Sequence, residues 1–331
     1  MSREIVALTT QDADPAVACD RSVALVAEAE RRLHAPDRTL LLVEGGSLIA
    51  RCSCWWTGTA RIDDRPVGVI GHYAAADASA SGSLLFAACA LLSANGAALA
   101  VGPMDGTTWR RYRFIVDRGT EPPFFLEPDN PDDWPGHWSA AGFAPLATYT
   151  SAVNDDLHVE DPRTPAALER LRAVGIGIRT LETARTGEEL QRIFTLSLSA
   201  FSRNFLYTPI GEAEFMAQYQ AVLPYVQSEL VLAAEKDGAL VGFMFALPDL
   251  LQARCGGAVD TFIIKTLAVD RSVGGMGLGG TLTDLVQRKA HALGFRRAIH
   301  ALMHETNVSQ KISHHSARSI RRYALYAKPL A

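Results

Sequence analysis

The sequence predicts a mixed α/β fold (α+β, a mixed sheet) in two tandem units, each a mostly antiparallel sheet flanked by helices. Three observations lead there. The apolar, β-favouring run Thr261-Phe-Ile-Ile-Lys-Thr-Leu-Ala-Val269 passes through a turn with five glycines in seven positions (Gly274, Gly275, Gly277, Gly279, Gly280). A helix follows, with Leu278, Leu282, Leu285 and Val286 at helical spacing. Short strand and helix signals also alternate along the whole chain, and the halves can be laid over each other. Leu40–Ala50 parallels Leu230–Gly242, each reading as a hairpin with a long third strand and a helix after it.

Composition bounds the possibilities. The chain has 331 residues, 48% of them apolar, enough for two domains with real cores. A net charge of −4 and a pI of about 6.1 give no global basic field, so nucleic acid is not an expected partner. No apolar run approaches the roughly 20 residues that span a bilayer. Met1–Leu8 shows no basic region leading into an apolar core, so a cytoplasmic protein without a signal peptide is expected. Cys19, Cys52, Cys54, Cys89 and Cys255 are scattered and odd in number. Cys52 and Cys54 share one face of a strand, but no second pair stands at a metal-ligand spacing, so reduced, buried thiols are the expectation.

In the first half, Asp20 to Leu33 reads as an amphipathic helix. Leu40 to Trp56 reads as two strands around a Glu-Gly-Gly turn, and Pro66 to Tyr73 as a third strand. Ala80 to Asn95 is a helix ended by Gly96, and Ala97 to Val101 a strand. Gly102 to Pro131 is irregular. Asp132 to Phe143 contains a short helix, and Leu146 to Val153 a last strand. His72 and Tyr73 close a strand at the entrance to a helix, where ligands often sit. The loop Gly102–Arg113 gathers Asp105, Trp109, Arg110 and Tyr112, either as a functional loop or as a domain-interface loop with stacked Arg and Trp.

The acidic, proline-containing stretch Asn154–Pro165 marks the boundary: residues 1–155, a linker at 156–175, and residues 176–331. Beyond it come a strand at Gly177–Leu181 and a helix opened by the capping-box pattern Thr186…Glu189 and running to Phe201. A helix spans Glu212–Leu223. Glu229–Leu247 is a hairpin turning at Lys-Asp-Gly. After the glycine turn and its helix follow a strand at Phe295–Met303, a short helix at Asn307–His315 and a strand at Ile320–Tyr326.

This order of elements, together with Val269–Leu282, Gly242 and Asn307, resembles the GNAT superfamily of N-acetyltransferases over residues 176 to 328. Gly275, Gly277, Leu278, Gly279 and Leu282 match its loop framework. Three positions depart from it. Gly274 stands where Arg or Gln is usual, Ser316-Ala-Arg-Ser-Ile320 replaces a Gly-Phe pair, and His314 replaces a Tyr. In the first half Asn130, Trp138 and Gly142-Phe143 resemble the family's Asn-to-Gly-Phe segment. Ala74 to Gly82 lacks the cradle, so the first unit is expected to be degenerate.

The resemblance implies an N-acyltransferase, most plainly an N-acetyltransferase, that moves an acyl group from acetyl-CoA or another acyl-CoA to the amine of a small molecule. It implies that main-chain groups of Leu267, Ala268 and Val269 hold the pantetheine arm and acyl carbonyl. Gly274, Gly275, Met276, Gly277, Leu278, Gly279, Gly280 and Thr281 would hold the pyrophosphate, and Asn307 the pantetheine arm. Lys311, Arg318, Arg321 and Arg322 would meet the 3′-phosphate. His314 is the first candidate for general acid and Tyr323 the second, with His304 and Asp260 as candidate bases; imidazole exchanges protons near neutrality. The spacing of His304, His314 and His315 matches no standard metal-ligand set. Two other readings stay open: a transferase using another acyl donor such as aminoacyl-tRNA, and a non-catalytic CoA-binding sensor. No membrane partner is expected, and a homodimer is compatible with the sequence.

Overall fold

The computed structural model describes residues 3–19, 23–306 and 317–331. The first half comprises β1 (Arg3–Leu8), α1 (Glu28–His34), β2 (Arg38–Glu44), β3 (Ser47–Trp55), β4 (Arg61–Ile62), β5 (Arg65–Ala75), α2 (Ala78–Ala94), β6 (Leu99–Gly102), β7 (Phe114–Asp117), α3 (Trp134–Ala140) and β8 (Ala144–Asn154). The second comprises α4 (Thr164–Ala173), β9 (Ile176–Thr180), α5 (Thr186–Ala200), α6 (Glu212–Gln220), β10 (Val231–Lys236), β11 (Ala239–Pro248), α7 (Leu250–Arg254), β12 (Thr261–Val269), α8 (Leu278–Ala292), β13 (Arg297–His304) and β14 (Arg318–Pro329).

Local chemistry explains the elements that match expectation. Asp237 and Gly238 both take positive φ (51° and 77°), as a two-residue hairpin turn matching strand twist requires. Asp77 caps α2 by accepting from Ala80 N at 2.8 Å. In the second half Gly242 leaves room for α8: a Cβ there would lie 2.9 Å from Leu278 Cδ2.

Several expectations need correction. The first helix is confined to Glu28–His34; residues 23–27 are irregular and bury Val23 and Val26. The capping box is not formed. Thr186 Oγ1 donates to Thr183 O, and Glu189 is buried against Arg179 at 2.6 Å. The supposed linker contains α4, which packs Ala167 and Leu171 inward. The 102–131 stretch contains β7, and β1 pairs along β2.

The strands form one sheet in the order β1-β2-β3-β5-β6-β14-β8-β13-β12-β11-β10-β9, with β4 on β5 and β7 on β14. Each half contains one parallel crossover, β5-α2-β6 and β12-α8-β13, and is otherwise antiparallel. The last strands of the two halves are exchanged. β8, from the first half, pairs with β13 of the second, and β14, from the second, pairs with β6 and β7 of the first. β8 and β14 pair with each other over Ala144–Val153 and Arg318–Ala327. The halves are thus joined through the middle of a continuous hydrogen-bonded sheet. Among the described residues no helix is long and apolar enough to cross a membrane.

Candidate functional site

The site is built from a strand that loses one neighbour. β12 and β13 run parallel only from Thr261–Ile264 against Arg297–His300, while β12 stays paired to β11 as far as Val269. From Lys265 to Val269 one edge of β12 therefore has no ladder partner among the described residues, and its alternate N–H and C=O groups are free on that edge. On its other edge β13 pairs with β8 from Ala298 to His304, with a register shift between His300 and Met303. A β-bulge sits at the parting point: Phe245 opposes Thr266 and Ala246 opposes Ile264, which leaves Lys265 as the extra residue.

At the far end of β12 lies the glycine turn. Asp270 accepts from Ser272 N at 2.9 Å and starts a short 3-10 turn, and α8 begins after Gly277 with no side-chain cap. Gly275 (φ +78°) and Gly277 (φ +84°) occupy the left-handed region. A Cβ on Gly277 would also meet Ala167 Cβ at 3.6 Å. The first N–H groups of α8 have no intrahelical acceptor, and the 15-residue helix adds partial positive charge there. Bare backbone, uncapped donors and the absence of side-chain bulk fit a pyrophosphate. The residues that would hold it are Gly275 to Gly280.

The bulge opens into a cavity of 1620 Å³ between the halves. Lys265, Thr266, His304, Tyr219 and Phe205 line it from the second half, and His34, His72, Asp105, Arg110 and Arg113 from the first. Lys265 keeps exposed surface and lines the cavity. Desolvation by the surrounding chain, with the nearby Arg113 guanidinium, brings its pKa down to about 8. His304 packs edge-on to Tyr149, with centroids 4.9 Å apart. Burial first, then Arg113, lowers its pKa, so the ring is neutral at pH 7. Thr306 N donates to His304 Nδ1 at 3.2 Å, which puts the ring proton on Nε2. As placed, His304 is a hydrogen-bond donor rather than a base.

A second bulge faces the same cavity from the first half. Cys52 opposes both His72 and Tyr73, and His72 takes φ 47°, a costly conformation for a non-glycine residue. His72 N donates to Asp105 Oδ1 at 2.5 Å, and burial raises the Asp105 pKa to about 6. The nitrogens His72 Nε2 and His34 Nδ1 are 2.8 Å apart, in rings inclined by only 20° with centroids at 5.0 Å. The rings therefore meet nearly head to head across one N–H···N hydrogen bond. The Glu30 carboxylate lies within 4.8 Å, completing a group with the donor types of a metal site. As placed, the two nitrogens point at each other rather than toward a shared ion. The pair is a hydrogen-bonded dyad, extended by His72 Nδ1 to Ser53 Oγ (3.0 Å) and on to Thr39 (2.8 Å).

The structure brings together some of the residues singled out from sequence and separates others. Leu267, Ala268 and Val269 follow the bulge, with the 274–281 turn beyond them. Asp260 stands at the opposite end of β12, about 23 Å from Leu267 at strand rise. Its carboxylate is occupied by Gln252 (2.9 Å) and Thr261 (2.9 Å), and the Gln252 bond leads in lowering its pKa. It has no path to the cavity chemistry.

Tyr323 is fully buried. It donates to Glu127 at 2.5 Å, lies 3.0 Å from Ser151 Oγ, and burial drives its pKa upward. Arg321 is buried against Glu127 at 2.8 Å, and Arg318 is paired with Asp155 at 2.8 Å and with Glu121. These two guanidiniums serve the β14 swap rather than a free basic tail. Asn307, Lys311, His314 and His315 lie outside the described residues. Asn130 is buried and accepts from Ile115 N at 2.7 Å, a structural use.

The loop at 102–113 joins the halves. Trp109 donates to Thr208 O at 2.9 Å, and Arg110 forms a two-point ion pair with Glu214 (2.6 and 2.9 Å). Lys265 escaped sequence reading, although a lone charge inside an apolar strand was its signal. Arg113 carried none.

Part of the chain matches a known family model. Residues 190–318 match the model of the acetyltransferase (GNAT) family. A bacterial ceramide synthase of Caulobacter vibrioides (strain NA1000 / CB15N) is 26% identical over 229 residues, 66% of this chain. That stretch is 58% of the relative's own length, so the chain spans little more than half of it. A tandem GNAT protein from the clavulanic acid biosynthesis pathway aligns over 100% of this chain and 99% of its own, with a TM-score of 0.51 and 14% identity. A GCN5-related glucosamine N-acetyltransferase region of a fungal multi-domain β-N-acetylglucosaminidase aligns over 91% of this chain and 34% of its own (TM-score 0.53, 13% identity). At such identities the structural likeness speaks for the fold.

Proposed function

We propose, from the match of residues 190–318 to the acetyltransferase (GNAT) family model, that the chain is an acyl-CoA-dependent N-acyltransferase whose acceptor amine enters the cavity between the halves. One observation carries this reading. A single strand, β12, bears the glycine turn beyond one end, an unpaired edge in its middle, and a cavity-facing lysine at its bulge. Bound acyl-CoA supplies an activated thioester carbonyl. The chain supplies backbone N–H donors on the Lys265–Val269 edge to polarise it.

Lys265 takes the proton of the attacking amine. A pKa near 8 leaves a useful neutral fraction at neutral pH, whereas an ordinary lysine has almost none. His304, through Nε2–H, orients the acceptor. His314 is proposed as proton donor to the departing thiolate.

Titration calorimetry with acetyl-CoA and longer acyl-CoAs, on wild type and Gly277→Trp, tests the donor half; a wild type that binds none of them sinks the proposal. Product formation across an amine panel separates an enzyme from a CoA-binding sensor. The relative's name raises a second acceptor class, a long-chain amino alcohol. The 1620 Å³ cavity favours it, being larger than the roughly 300–1,000 Å³ of ordinary ligand pockets.

A further inference from the structure

Arg113 holds a charge that nothing described in the protein neutralises. It is 6% exposed and lines the cavity. Its guanidinium carbon lies 3.7 Å from the Tyr112 ring centroid and 4.0 Å from that of Tyr149, so two aromatic faces clamp it. Nη1 donates to Leu302 O at 3.2 Å, while Nε is buried with no hydrogen-bond partner among the described residues. Among those residues no carboxylate comes within ion-pair distance, and residues 307–316 contain no Asp or Glu.

Glu30 and Glu305 also line the cavity but form no ion pair with Arg113, and three further acids are committed elsewhere. Glu127 is bound by Arg321 (2.8 Å) and Tyr323 (2.5 Å), Asp105 accepts from His72 N, and Glu214 holds Arg110. A buried guanidinium without an anion is costly, and ring faces offset only part of that cost. The planar fork is shaped for a carboxylate or phosphate, which would complete its hydrogen bonding. Lys265 is close enough for the two cations to repel.

We propose that Arg113 anchors an anionic group of the acceptor, so that the acceptor is an amine bearing a carboxylate or phosphate, its amine presented to Lys265. This rests on the reading of the cavity as the acceptor chamber.

The test uses the full chain with acetyl-CoA and matched acceptors: amino acids against their amides, and amino alcohols against their phosphate esters, in short- and long-chain forms. Expected is a 10- to 100-fold lower kcat/KM for each neutral partner, carried by KM, with the preference lost in Arg113→Met and partly kept in Arg113→Lys. Neutral long-chain amino alcohols used as well as their phosphates would overturn it. A readout without turnover runs alongside: acetate and inorganic phosphate should raise the melting temperature of wild type more than that of either variant. Equal shifts in all three proteins overturn the inference even if no acceptor reacts. If Arg113→Met does not fold, Arg113→Lys and the wild-type acceptor panel still decide. Acetyl-CoA titration separates the two failures, because a donor that binds while the anion preference is absent defeats only this inference.

Discussion

Lys265 and the His34–His72 dyad face one cavity but respond to pH in different ways. For Lys265 the folded pKa is lowered from 10.5 to about 8, so the neutral, proton-accepting form grows as pH rises through 8. The rate should climb over that window and level above it. Lys265→Met should lower kcat by about 10²–10⁴-fold and abolish that limb, read from pH–rate profiles.

The dyad concerns stability. Burial, with Arg110 on His34 and His34 on His72, lowers the pKa values from 6.5 to about 4 and about 3. A depressed folded pKa means stabilisation that is present above pH 6.5 and lost as pH falls toward 4 and 3. Melting temperature should therefore drop between pH 6.5 and 4, and His34→Gln with His72→Asn should flatten the drop. A wild-type melting curve unchanged across that range would contradict the assignment.

At the scale of elements, the turn between β12 and α8 is constrained at one position. Gly277 needs a left-handed backbone and sits 3.6 Å, in Cβ terms, from Ala167 on α4. Gly277→Val should destabilise by roughly 1–3 kcal/mol through backbone strain and weaken acyl-CoA binding at least tenfold in titration calorimetry. Gly280→Ala is the control, since no atom lies within 4 Å of its Cβ position. The hairpin, the glycine turn and the helix after it were legible in sequence because local chemistry sets them. The α4 helix was not, because its pattern is short and its apolar face is decided by α8. The capping-box pattern misled for a related reason: Arg179 offers Glu189 a better partner than the backbone N–H.

At the scale of the molecule, the strand exchange governs folding. β14 completes the first half through β6 and β7, and β8 completes the second through β13. Residues 1–155 and 156–331, expressed apart, should each leave a sheet edge unpaired and an apolar face open, and should aggregate. Co-expressed, they should assemble into a stable pair, read by co-purification and circular dichroism. Two soluble, folded halves would contradict the role given to the exchange. The interior ion pair of Arg321 with Glu127 adds to the coupling, since its two partners are 194 residues apart.

The sequence by itself determined the fold class, the hairpin of the second half and the glycine turn between its strand and helix. Each rests on signals within about thirty residues: glycines in a turn, apolar spacing in a helix, a hairpin turn with positive φ. It also set the field of candidate chemistry, including His304 and the Leu267–Val269 edge. Only the tertiary structure decided which of those groups share a chamber. Asp260 and Tyr323 sit apart because strand length and the β14 swap, invisible locally, carry them away from the opening. Lys265 and Arg113 meet at the cavity because the two halves of one sheet, joined through exchanged strands, bring residues 152 positions apart into one enclosure.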